Sequence, residues 1–339
     1  MCDTPGVPLE DVARFCFNGR FGKRVWQVPK AMSPAQAKGP GPVVTLTNTH
    51  GKERPRVADA RSPTVRRREL GALLRALRTD AGMTVEQVAD ALLVSPSKVS
   101  RLETGQRGAS ARDIRDLCGL YRVDDPEQRE HLATLAKEGR EQAWWQPFDL
   151  PYATYVGLES AAVSISDFEP GVFPGLLQTS DYARAIHEAA LPRLSPAGID
   201  QRIEVRRGRQ AVLTRDDPPE FAVVIDEAVL HRVVGGPLVM AAQMDRVIEA
   251  CALPNVNVRV LPYSAGAYPA QDSTFTLLTF TPPVPGVVYV DGLVGQMYLE
   301  KASDVGRYTQ VFDRLCTLSL SQQQSLDLMA RLGEIFKTS

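Results

Sequence analysis

The chain has 339 residues, 44% of them hydrophobic and 23% charged, with a formal net charge of −1. That length exceeds one ordinary core and suits two domains plus an arm. No apolar run reaches the roughly 18 residues of a membrane span, and no basic segment followed by an apolar one opens the chain as a secretory signal. The five scattered cysteines (Cys2, Cys16, Cys118, Cys251, Cys316) lack paired spacing, so reduced thiols in a cytoplasmic, nucleoid-associated protein are expected. The four dispersed histidines (His50, His131, His187, His231) give no zinc spacing, and neither a metal nor a cofactor is expected.

Residues 1–63 read as a disordered arm and linker. Pro and Gly cluster in SPAQAKGPGP, apolar periodicity is absent, and GKERPRVADARSP is basic. A domain is expected over residues 64–138. Leu70, Leu73, Leu74 and Leu77 repeat at helical spacing, and Gly82 closes that helix. In MTVEQVADALLVSPSKVSRLETG (83–105), Thr84 and Gln87 form a capping box, and Val85, Val88, Ala89 and Leu92 share a face. Ser95 and Pro96 then restart the chain as N-cap and first helical residue. Val99 and Leu102 continue the core stripe, which leaves Ser97, Lys98, Ser100 and Arg101 pointing outward. Ser110 with Asp113, and Asp125 with Pro126, open two further helices, giving five in all. The pattern is that of a helix-turn-helix that holds double-stranded DNA.

Charge is distributed accordingly. Residues 61–122 carry twelve Lys and Arg against seven Asp and Glu, a net +5, whereas residues 123–339 carry −10. The basic part is the footprint expected of phosphate contact. Thr84, Gln87, Ser95, Ser97, Lys98, Ser100 and Arg101 are the expected DNA-contacting residues. Arg101 is expected on a base edge, and Arg107, past the helix end, on phosphate.

TVEQVADALLVSPSKVSRLETGQR resembles the lambda-repressor/Cro class of regulators, also called the xenobiotic-response-element class. The resemblance implies that Ser97 and Arg101 read bases, that Ser95 touches the DNA backbone, and that Arg78 and Glu103 form a buried pair linking the first and third helices. Leu93 stands where the class often has Gly, and a left-handed Leu there costs on the order of 1 kcal/mol. Val85 and Pro96 stand where many members place Gln.

Residues 139–339 read as a mixed α+β domain with a mainly antiparallel sheet. Phe168–Gly175 predicts a rigid loop, and helices are expected over about 179–191 and from Ser195 through QRIEVRRGRQAVL. FAVVIDEAVL, VNVRVLPY, FTLLTF and VVYVDGL are β-type runs, with helix MAAQMDRVIEACAL after the first and two helices at the end. Arg202, Arg206 and Arg209 share one helix face and suit an acidic partner or an anion, with a solvated basic face as the alternative. PGLLQT reads as a packing loop or as a pocket rim, with Gln178 and Tyr182 supplying hydrogen bonds. Glu159, Glu169, Asp226 and Glu227 are the acids whose convergence an enzyme would need. Asp226 and Glu227 read as a helix cap, and catalysis is not expected.

YVGLESAAVSISDFEPGVFPGLLQTSDYARAI, RIEVRRGRQAVLTRDDPPEFAVVIDEAVLHRVVGG and LPNVNVRVLPYSAGAYPAQDSTFTLLTF resemble, in order, the C-terminal module of actinomycete antitoxin-like regulators. The resemblance implies a transcriptional regulator whose C-terminal domain binds a small protein encoded nearby. Two alternatives stand beside it: a regulator sensing a small molecule there, and an enzyme tethered to DNA. A single helix-turn-helix reads few base pairs, so a homodimer is expected. Val311, Leu315, Leu318, Leu326, Leu328 and Ile335 supply apolar surface for its interface or for an ordinary core.

Overall fold

Short capped helices build the N-terminal part of the structure, a computed structural model that describes residues 62–191 and 193–338. The arm expected over residues 1–63 lies, except for its last two residues, outside the described residues. α1 (Pro63–Asp80), α2 (Val85–Ala91), α3 (Pro96–Glu103), α4 (Ala111–Leu120) and α5 (Pro126–Glu138) follow in order. Thr84 and Gln87 satisfy each other's backbone at the start of α2, and Ser110 and Asp113 do the same for α4. Gly82 lies just past α1 at φ +66°, and its N–H bonds Thr79 O at 2.9 Å. Leu70, Leu74, Val88, Val99, Leu102, Ile114, Leu117 and Leu132 bury into one cluster. The Arg78 guanidinium grips Glu103 through two bonds, 2.6 and 3.1 Å long, tying α1 to α3.

Six strands form the second core: β1 (Ser164–Glu169), β2 (Glu220–Asp226), β3 (Val256–Leu261), β4 (Phe275–Thr279), β5 (Val287–Gly292) and β6 (Gly295–Leu299). Their order is β3-β2-β1-β4-β5-β6. β1–β2 and β2–β3 run parallel, while β1–β4, β4–β5 and β5–β6 run antiparallel. The sheet is therefore mixed, where a mainly antiparallel one was expected. One parallel pairing comes from β1, a strand that apolar alternation does not mark, and the other from the helical crossover between β2 and β3. β1 precedes α7 (Ser180–Ala189) and α8 (Pro196–Gln210), and those helices make the crossover that a parallel neighbour requires. FAVVIDEAVL is also divided: the strand ends at Asp226, whose carboxylate caps α9 (Glu227–His231) by accepting from Ala228 N at 2.8 Å.

Both faces of the sheet are covered. Ile165, Val223, Ile225, Val258 and Val260 meet Met240, Met244 and Val247 of α10 (Pro237–Ala250) and Met329 of α12 (Gln322–Thr338). Phe168, Val224, Phe275 and Val288 meet Phe312 and Leu315 of α11 (Ala302–Leu318). The apolar residues expected to offer a dimer face are largely absorbed here. Val311, Leu315 and Leu318 pack beneath the sheet, and Leu328 packs with the α10 layer.

α1 belongs to both cores, with Leu70 and Leu74 in the helical one and Val65 in the sheet one. Its partner on the sheet side is α6 (Ala153–Glu159), where Gly157 allows close approach. A Cβ at that position would stand 2.7 Å from Thr64 Cβ and closer still to its hydroxyl. Arg68 of α1 also pairs with Glu300, beyond β6, at 2.7 Å.

Candidate functional site

Two groups of side chains in the structure carry chemistry. On α3, Val99 and Leu102 anchor the helix in the core, and Ser97, Ser100 and Arg101 stand exposed on its other side. Arg101 folds back one turn, its Nε and Nη2 donating to Ser97 Oγ at 3.2 and 2.8 Å. Arg107 is exposed beyond the helix end. Thr84 and Gln87 are exposed while completing the α2 cap, and Ser95 Oγ caps α3 by accepting from Lys98 N at 3.2 Å. Lys98 departs from the sequence expectation. Its ammonium turns back onto Asp113 of α4 at 2.5 Å, because the α4 capping box places a carboxylate within its reach. Leu93, in the turn before α3, adopts φ 53° and is 92% exposed.

The second group lies on the sheet. β1 alternates, so Asp167 and Glu169 share one face with Ile165 while Phe168 points to the other. Register places Thr276 of β4 beside Asp167, and Tyr289 of β5 beside Thr276. Across from this floor runs α8, which presents Arg202, Arg206 and Arg209. Between them is a cavity of about 650 Å³, also lined by Tyr152, Tyr155 and His187. It sits at β1, where the strand order turns from β3-β2 on one side to β4 on the other. Such reversals open crevices in α/β sheets.

The three arginines differ sharply from the solvated basic face considered for them. Arg209 makes a bidentate pair with Glu159 of α6, both bonds 2.7 Å, and lies over the Tyr155 ring at 5.1 Å. Arg202 sits over Tyr152 at 5.4 Å. Arg206 donates to Gln178 Oε1 and faces His187 Nε2 at 3.5 Å, while its buried Nε has no partner. Among the described residues Arg206 forms no ion pair. Burial and the neighbouring Arg209 lower its pKa to about 10. Burial, then Arg206 and Arg202, push His187 down to about 4, so the imidazole is neutral and accepts.

The carboxyls opposite are equally short of counterions. Asp167 accepts from the Thr276 hydroxyl at 3.0 Å, and Glu169 Oε2 lies 3.1 Å from Thr274 Oγ1. Burial raises Asp167 to about 7. Burial and the nearby Asp167 raise Glu169 well above the usual carboxylate range.

The structure separates the two polar residues named for PGLLQT. Gln178 lines the cavity, its amide nitrogen donating to Phe173 O at 2.6 Å. Tyr182 points into the core instead, fully buried, with its hydroxyl accepting from Phe173 N at 3.3 Å. Of the four acids, Glu159 and Glu169 reach the cavity, whereas Asp226 and Glu227 stay at the start of α9. Sequence reasoning missed Asp167, Tyr155, His187 and Tyr289. The acid-on-alternate-residues pattern of SISDFE was the available signal for the first. Among the described residues, no group of three metal-ligating side chains comes together.

Residues 152–331 match a domain family of unknown function (DUF5753). The chain belongs to that family. The matched DUF5753 segment takes in every cavity residue except Pro151. Residues 69–132 match a helix-turn-helix domain family, and that span includes α2, α3 and the Arg78–Glu103 pair. No curated protein matches the chain. This DUF5753 protein is thus a helix-turn-helix regulator that binds DNA, and no described helix is long and apolar enough to cross a membrane. Thr64, Val65 and Arg68, which join α1 to the sheet domain, lie outside both matched spans.

Proposed function

We propose that this protein is a sequence-specific transcriptional regulator of the lambda-repressor/Cro kind, whose sheet domain senses a small molecule and alters DNA occupancy. Arg101 and Ser97 read base edges, and Arg107, Ser95, Thr84 and Gln87 contact phosphate. The observation that carries the sensing role is the position of α6. Tyr155 and Glu159 of this short helix line the cavity, while Gly157 between them lies against Thr64 of α1. α1 in turn is bonded to α3 through Arg78 and Glu103. A Cβ on Gly71 of α1 would come within 2.7 Å of Leu102 O, so the two helices also touch through their backbones. A ligand that moves α6 therefore has a contiguous route to the reading helix, and differential affinity for two positions of α6 supplies the coupling.

The test begins with the full-length protein purified from its native cells. Compounds released on denaturation are identified and returned to the protein during anisotropy titrations on an operator selected from random duplexes. A released compound should change operator affinity by about fivefold or more. Compounds that occupy the protein without changing DNA affinity would remove the sensing role.

A second reading, favoured by a different observation, is antitoxin-like binding of a small protein encoded nearby. β6 is an edge strand, and the β5–β6 hairpin leaves Leu293 and Val294 fully exposed, with Met297 half-exposed. A small protein in the same purification, released by charged substitutions at Leu293 and Val294, would favour this reading. Homodimerisation on two half-sites accompanies either reading, and light scattering of the DNA complex tests it.

A further inference from the structure

The cavity on β1 has two walls of opposite charge that do not meet. On the sheet wall, Asp167 and Glu169 stand two residues apart on the same face, each with a threonine hydroxyl as its polar partner. On the helix wall, Arg202 and Arg206 stand one turn apart, and Arg206 has an Nε sealed from solvent without an acceptor. Arg209, one turn further along α8, is already matched by Glu159 through both of its bonds. The contrast is informative. One arginine of the stripe has its carboxylate, whereas Arg206 and the two acids line the same space without forming an ion pair.

Uncompensated charge of either sign is costly away from water. A bare anion would answer Arg206 and leave Asp167 and Glu169 without a cation. A bare amine would answer the acids and leave Arg206. Direct closure of the two walls would remove the cavity, yet Tyr152, Tyr155 and Tyr289 keep about 650 Å³ between them. That is room for a small organic molecule with an apolar or aromatic-facing middle.

We propose that the cavity binds a zwitterionic small molecule, its ammonium group on Asp167 and Glu169 and its carboxylate or other anionic group on Arg206 and Arg202. This assignment rests on the sensing role given to the sheet domain and names the ligand class. Burial raises the pKa of both acids, so they hold protons more readily than free carboxyls do, and an ammonium beside them would take over the role of those protons.

The experiment uses the full-length protein and three matched probes measured by calorimetry: ε-aminohexanoate, hexanoate and hexylamine. γ-Aminobutyrate with butyrate and butylamine, and ω-aminooctanoate with octanoate and octylamine, vary the span between the charged ends. At least one amino acid of the series should bind about tenfold more tightly than the single-charge probe of its own length. Arg206→Met should abolish the advantage over the amine, and Asp167→Asn with Glu169→Gln the advantage over the acid. Circular dichroism checks that the variants fold, and the wild-type comparison stands without them. If every amino acid of the series binds no more tightly than the acid or the amine of its own length, or if none binds, the assignment is overturned. Operator affinity measured with the bound probe keeps the two ideas apart. Selective binding without a change in DNA affinity would retain the ligand class and remove the regulatory role.

Discussion

α3 and α8 each carry a basic face, Lys98 and Arg101 on one and Arg202, Arg206 and Arg209 on the other, and the two helices use their arginines in opposite ways. Arg101 on α3 is exposed, with Ser97 one turn away as its partner. Arg206 and Arg209 on α8 are turned inward, toward Gln178 and Glu159, which lie 28 and 50 residues earlier in the chain. Local sequence gives both helices a basic stripe. What the stripe does depends on whether the rest of the chain supplies acceptors. A guanidinium facing water retains its donors for a new partner such as guanine, while one facing a buried carboxylate becomes part of the fold.

The largest test of that contrast is at Arg209. Arg209→Met leaves Glu159 charged and buried with its bidentate partner gone, and removing one member of such a pair typically costs about 3–5 kcal/mol. Urea denaturation should show that loss, and Arg209→Met combined with Glu159→Leu should recover most of it. Arg101→Ala should leave the urea midpoint where it was. If the two single variants lose similar stability, the distinction between a fold-holding and a DNA-reading stripe fails.

Next comes the sheet wall. Asp167 has an ordinary pKa of 3.8 that the fold raises to about 7. Between those values the folded protein holds a proton that the unfolded chain has released, so this group's contribution to stability falls as pH rises through the window. His187, lowered to about 4 by burial, acts oppositely below its ordinary value. Comparison with Asp167→Asn cancels that background. The melting temperature of the variant should gain on the native protein between pH 5 and pH 8, and a constant difference would mean that Asp167 is not held protonated by the fold.

The legibility of the sequence follows the same division. Capping boxes at Thr84 and Ser110, the proline starts at Pro96 and Pro126, and the apolar stripes of α1 to α4 are local features whose partners lie within a few residues. Reading them needs only helical periodicity. Lys98 escaped because its partner, Asp113, sits on the next helix. β1 escaped because SISDFE buries acids where a strand would ordinarily bury apolar residues, and its last two residues fall in the segment Phe168–Gly175 expected to be a rigid loop. The cavity required β1, α6, α8 and β5 together, and no spacing within one of them signals the other three. Tyr182 shows the converse error: a polar side chain beside a suspected rim is as readily a core residue whose hydroxyl finds a backbone N–H.

Arg101→Ala sharpens the comparison from the DNA side. It should weaken binding to the preferred operator by about 1–3 kcal/mol and relax selectivity at one position per half-site. Arg107→Ala should weaken all duplexes alike and lower the salt slope by about one. Anisotropy titrations at two salt concentrations separate these outcomes. Unchanged affinity and preference in Arg101→Ala would mean that α3 does not read the bases.

The smallest effect is at Leu93, where a strictly local rule is broken on the legible side of the molecule. Its φ of 53° places a branched side chain in the left-handed region, and its 92% exposure offers little packing in return. Left-handed backbone costs a residue with a Cβ about 1–2 kcal/mol. Glycine avoids that strain but loses about 0.5–1 kcal/mol more conformational freedom on folding. Leu93→Gly should therefore stabilise the helix-turn-helix by a few tenths to about 1 kcal/mol. The same substitution removes a large apolar side chain from the turn that leads into α3. If it raises the urea midpoint while operator affinity stays constant, Leu93 is strain carried without benefit. If stability rises and affinity falls, the exposed leucine touches DNA or a second protein, and the DNA-facing surface extends one turn beyond α3.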